Sequence, residues 1–95
     1  MYSNEHTLQE LLKKAYHRLD MDETAQEMEV VNVYGVVVGD FIKRLTVKAG
    51  YAQGVLTVQL ASAALKQELM YRRSSLIERI NEALGRPVVK KIVLV

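Results

Sequence analysis

Between Thr46 and Leu60 apolar and polar residues alternate one by one, whereas on both sides of that stretch the apolar residues recur every three or four. A period of two belongs to a strand with one buried face, and a period near 3.6 to a helix with one buried stripe. The chain therefore has to place helices and strands around a common core. Val47, Ala49 and Tyr51 alternate against Thr46, Lys48 and Gly50, and Leu56, Val58 and Leu60 against Val55, Thr57 and Gln59. The two runs predict a hairpin whose turn region is bracketed by Gly50 and Gly54, with one apolar and one polar face.

The helical segments flank it. Thr7-Leu8-Gln9-Glu10 has the form of a capping box, and Leu8, Leu11, Leu12, Ala15 and Leu19 follow at helical spacing, predicting a helix over 7–19. Asp20 to Glu23 reads as an acidic turn, with Asp22 as the cap of the next element. Over 23–45, Val30, Tyr34, Val37, Phe41 and Leu45 fit one helical stripe, although the valines, Gly35 and Gly39 are poor helix formers. A buried helix with a bend at Gly35 is the reading adopted. Two short strands around Tyr34-Gly35 are the rival, and that pair is a weak hairpin turn. After the hairpin, Ser62 suits an N-cap, and Leu65, Leu69, Leu76, Ile80 and Leu84 form a stripe interrupted at Arg72-Arg73. Ser75-Leu76-Ile77-Glu78 is a second capping box, so 62–84 is either one long helix or two with a kink near Ser74. Gly85 suits a C-terminal cap, Arg86-Pro87 a stop, and Val88 to Val95 a last strand containing Lys90 and Lys91. The order is α-α-β-β-α(-α)-β, an α+β sandwich with a three-stranded sheet and helices on one face.

The 95 residues suffice for one domain, expected as a flexible start at 1–6 and a single α+β unit over 7–95. Half the residues are apolar (49%), enough for a core, and no apolar run approaches a membrane span. No signal peptide opens the chain and no cysteine is present, so a cytoplasmic protein without disulfides or thiolate chemistry is expected. His6 and His17 have no partner at metal-ligand spacing, and the acids around Asp22 lack the Gly and Glu of a calcium loop. Ser62, Ser74 and Ser75 stand in no nucleophile context, and no phosphate-binding loop occurs. An enzyme, a cofactor, a metal, a small-molecule substrate and a membrane partner are thus not expected.

The near-neutral total charge of +2 conceals a split. Residues 1–40 carry three basic and eight acidic side chains, a net −5, and residues 41–95 carry ten and three, a net +7. The basic part is a candidate polyanion surface unless the two halves interleave on folding. Its candidate nucleic-acid contacts are Lys43, Arg44, Lys48, Lys66, Arg72, Arg73, Arg79, Lys90 and Lys91. Arg72-Arg73 is the sharpest of these because it replaces apolar residues on a core stripe. The alternative is an ordinary solvated face, with one Arg paired to Glu68 four residues earlier.

From about Val30 onward the sequence resembles the DciA-like family of bacterial replicative-helicase loaders. The carrying residues are Tyr34 through Gly39-Asp40-Phe41-Ile42, Gly54-Val55-Leu56-Thr57-Val58, Ser62 through Leu69, Leu76 through Gly85, and Val89 to Leu94. Tyr34 and Leu65 stand where that family often has Trp, and its Thr-x-Pro neighbourhood reads Thr46-Val47-Lys48. The resemblance implies a KH-like α+β domain, contact with the replicative DNA helicase, and binding of single-stranded or forked DNA. A short form of the pattern, without the tail or zinc ribbon that some relatives carry, is expected. Both glycine pairs, Gly35/Gly39 and Gly50/Gly54, are separated by three residues, so the Gly-x-x-Gly clamp of nucleic-acid-binding KH domains is not present in them. The expected function is a non-enzymatic replication adaptor. Its rivals are a general nucleic-acid-binding domain that takes RNA or single-stranded DNA, with RNA bound through the sheet, and a structural interaction domain.

Overall fold

The computed structural model describes residues 21–95. The helix expected over 7–19, its capping box, His6, His17 and Asp20 lie outside the described residues. Helix α1 runs Met21–Val38, α2 Asp40–Arg44, β1 Thr46–Ala52, β2 Val55–Leu60, α3 Ala63–Tyr71, α4 Arg73–Leu84 and β3 Lys91–Leu94. The sheet order is β1-β2-β3, with β1 antiparallel and β3 parallel to β2. Val30 and Tyr34 of α1 and Leu76 and Ile80 of α4 pack on Leu56, Val58 and Ile92 of the sheet. The helices thus lie against one face of a three-stranded sheet, the expected α+β, KH-like arrangement.

The helix reading of 23–38 holds, and burial of its valine face offsets their poor propensity. Two details differ. Asp22 falls within α1 rather than capping it. The break is at Gly39 and not at Gly35. Gly39 has φ 90° and ψ 167°, a region open essentially to glycine alone. Gly35 stays helical, and its missing Cβ, which would sit 3.2 Å from Lys43 Cδ, lets the Lys43 stem lie across α1. Because the helix is interrupted, the stripe loses phase. Phe41, expected in the core, is 72% exposed, while Ile42 and Leu45 are half-buried.

The hairpin turns through Gln53-Gly54, both at positive φ (49° and 85°), the type I′ geometry that matches strand twist. Gly50 lies inside β1 and not in the turn, with Glu27 Oε2 close above it. A bulge corrects the expected face of Val47. Thr46 pairs with Leu60 but Lys48 pairs with Gln59, so one residue is extra. Val47 is expelled to solvent, 62% exposed, and Thr46 swings to the core side. There the Thr46 hydroxyl donates to the Ile42 carbonyl at 2.8 Å, so its oxygen accepts from the Tyr34 hydroxyl at 2.9 Å. Burial raises the Tyr34 pKa above its ordinary value, and the Thr46 bond offsets part of that rise.

The segment 62–84 is two helices. Ser62 caps α3 as expected, its Oγ accepting from Leu65 N at 3.2 Å. The break falls at Arg72 rather than Ser74, and Arg72, not Ser75, occupies the N-cap of α4, so the second capping box does not form. Gly85 closes α4 in the left-handed conformation, and Arg86 N donates to Asn81 O at 3.2 Å. The last strand is shorter than expected, because only Lys91–Leu94 pair with β2. Val88 and Val89 are instead core residues held by side chains. Asn81 Nδ2 donates to Val89 O and Asn81 Oδ1 accepts from Val89 N, both at 2.8 Å. The Tyr51 hydroxyl donates to Val88 O and accepts from Gly54 N, each at 3.1 Å.

Candidate nucleic-acid interface

The nine candidate cations occupy different parts of this frame. Lys48 and Lys91 belong to the face of the sheet opposite the helices, because their pairing rows alternate with the buried rows Ala49–Val58–Leu94 and Tyr51–Leu56–Ile92. They stand on the two outer strands, four residues apart along the sheet, which puts them roughly 16 Å from each other. Lys43 and Arg44 end α2, where cations complement the helix dipole. The Lys90 stem passes Gly54 at the hairpin turn. Lys66, Arg72, Arg73 and Arg79 are on the helix layer. Arg79 Nη2 donates to Val37 O at 3.2 Å, tying α4 to the C-terminal turn of α1. Arg72 Nη2 lies 2.7 Å from Glu68 Oε1, the i,i+4 pair anticipated above, with both side chains mostly exposed.

The acidic and basic halves partly interleave. Arg86 reaches back to Glu29 of α1 at 2.8 Å. Glu27 Oε2 accepts from the edge N–H of Tyr51 at 3.2 Å, blunting the free edge of β1. Glu23 and Glu27 line a cleft between α1 and the hairpin, an unsuitable seat for phosphate.

Among the described residues the sheet face opposite the helices offers no stacking platform. Its residues are Lys48, Gly50, Ala52, Val55, Thr57, Gln59, Lys91 and Val93, while the strand aromatic, Tyr51, turns to the core side. Bases held on a sheet need aromatic rings.

The α3–α4 junction is different. Tyr71, Arg72, Arg73, Ser74 and Ser75 are five consecutive exposed residues. The Tyr71 ring is 80% exposed, and its hydroxyl accepts from Gln67 Nε2 at 3.1 Å, one turn earlier on α3. Arg72 has φ −105° and ψ 13°, a bend that stops α3 and starts α4. The new helix opens with no side-chain cap and no acidic residue in its first turn. Arg72 thus closes α3 as well as opening α4, and Arg73 stands in the first turn of α4, at the positive end of its dipole, where acids are the stabilising choice. Glu68 answers the first. Among the described residues Arg73 has no carboxylate partner. The arginine pair was visible in the sequence as a gap in the apolar stripe. Tyr71 was not, since a single Tyr beside that gap looks like any other surface residue.

No helix among the described residues is long and apolar enough to cross a membrane. Comparison with curated proteins found no match. The family model described as "Dna[CI] antecedent, DciA" matches residues 5–94, extending the resemblance first noted from Val30 toward the N-terminus. With nearly its whole length matched, the chain belongs to the DciA family, which is associated with loading of the replicative helicase.

Proposed function

We propose that this protein is a non-enzymatic, cytoplasmic accessory of DNA replication that binds the replicative helicase and single-stranded or forked DNA while the helicase is loaded. The observation that carries the reading is the family match across residues 5–94. On this reading ATP hydrolysis belongs to the helicase, and the small protein supplies contacts. The α3–α4 junction supports the DNA half of the proposal, because a tyrosine and two arginines are consecutive and exposed at this bend. The aliphatic and polar open face of the sheet favours this over RNA bound through the sheet.

Binding to single-stranded, forked and duplex DNA across a salt series tests the DNA half. Phosphate contacts make affinity fall with salt, and reversing Arg72 and Arg73 to Glu should weaken binding and flatten that slope. Salt-independent or absent binding by the wild type refutes it. Capture of the purified replicative helicase by the intact chain tests the other half, and no capture at micromolar concentrations would refute it.

A further inference from the structure

We propose that Tyr71 is a stacking platform for one unpaired base and that Arg73 holds a neighbouring phosphate, so that the junction selects single-stranded DNA over duplex. This rests on the DNA-binding reading above and names the groups and the form of DNA.

The ring is the starting point. A tyrosine 80% exposed contributes little to the core, and here it is also held in place, since Gln67 grips its hydroxyl at 3.1 Å. Holding the ring at its rim leaves its faces open and lowers the entropy lost when something stacks on it. The surroundings decide what that is. Among the described residues its chain neighbours Gln67, Glu68, Arg72, Arg73, Ser74 and Ser75 are polar or charged and exposed, and Met70, 41% exposed, is the one exposed apolar side chain beside it, too little for a protein groove. A flat, apolar ring with an exposed cation two residues further along the bend matches a nucleotide, which joins a flat base to an anionic phosphate. Among the described residues Arg73 is the cation of this pair with no carboxylate partner, because Glu68 already faces Arg72 at 2.7 Å. Bases inside a duplex are stacked on both sides and cannot reach an external ring, so only an unpaired base can use it.

The test is fluorescence anisotropy of the intact chain with three labelled probes of equal length: an oligodeoxythymidine, the same backbone with abasic sites, and a duplex. Tyr71→Ala should lower affinity for the oligodeoxythymidine about tenfold, while Tyr71→Phe keeps most of it. Tyr71→Ala should leave binding to the abasic strand and the duplex unchanged. Arg73→Gln should weaken binding to all three and reduce the single-strand salt slope by about 0.7. Both positions are exposed, and thermal melts of the variants verify their folding. If Tyr71→Ala binds the oligodeoxythymidine as wild type does while Arg73→Gln is impaired, the stacking role is wrong and the DNA reading stands. If Arg73→Gln retains the wild-type salt slope, the phosphate role is wrong. If the wild type binds none of the probes, both the inference and the reading beneath it fall.

Discussion

Reversing the charge at Arg73 should make the protein more stable and a poorer DNA binder at once. Arg73 is the first residue of the twelve-residue α4, whose first turn has no acid and whose N-cap makes no side-chain bond. A cation there opposes the helix dipole by about 0.3–1 kcal/mol, and an anion gains a similar amount. Arg73→Glu removes one term and adds the other. Both act at an exposed site next to the C-terminus of α3, whose negative end opposes them, so the lower parts of the ranges apply, and the sum is about 0.5–1.5 kcal/mol of stabilisation. Helix α4 carries Leu76 and Ile80 into the core, so its gain is passed to the whole domain. For a chain of this size the melting temperature should rise by about 2–12 °C. Arg73→Gln, which only removes the cation, should give roughly half of that. Thermal unfolding followed by circular dichroism at low and at molar salt is the assay, because screening must shrink an electrostatic gain. A melting temperature below that of the wild type at low salt would show that Arg73 holds the fold. A rise of equal size in both salts would show that the effect is not electrostatic. Either result refutes the view of Arg73 as a cation placed against local stability.

Two other perturbations probe the frame that positions the junction. Asn81→Ala should cost about 2–4 kcal/mol, since the N–H and C=O of buried Val89 both lose their partner. Denaturant unfolding should register it, and a loss under about 1 kcal/mol would mean that water replaces the amide. Tyr34 gives a pH test. Its folded pKa lies above the unfolded value near 10.0, so the folded state holds the proton more tightly. Stability from this source is complete below pH 10 and is lost as pH rises through the folded value. Tyr34→Phe should therefore flatten the alkaline end of the stability profile, and an unchanged slope there counts against burial as the cause.

What the sequence made legible follows from which forces are local. Ser62 and Gly85 act through their own backbone neighbours, so the ends they set could be read directly. The alternation of Leu56 and Val58 survives because β2 is flanked on both sides by paired strands. Val47 broke its pattern because a bulge is a property of two strands, and neither run contains its own register. Phe41 left the core because Gly39 uses a conformation that periodicity does not encode. Asn81 looked like a surface residue on a helix, and its role exists only once Val89 arrives beside it. The candidate interface was legible in half. Arg72-Arg73 stood out by interrupting a stripe, but separating Arg72 from Arg73 required the position of Glu68 and the helix break, and Tyr71 required its exposure.

The parallel pairing of β2 with β3 has a consequence for how the molecule comes into being. The first hairpin can close as soon as Leu60 is available, through local contacts on a microsecond scale. The other side of β2 must wait for Lys91–Leu94, which are separated from it by both later helices. Until then the middle strand presents bare amides to any neighbouring chain. The Gly54 carbonyl, which receives Lys90 N at 2.8 Å and Lys91 N at 3.1 Å, is the docking point where that wait ends. A ribosome making this chain therefore holds an unfinished sheet until Lys91–Leu94 emerge, and crowding or a stall at that stage would favour misassembly over any fault in the finished core.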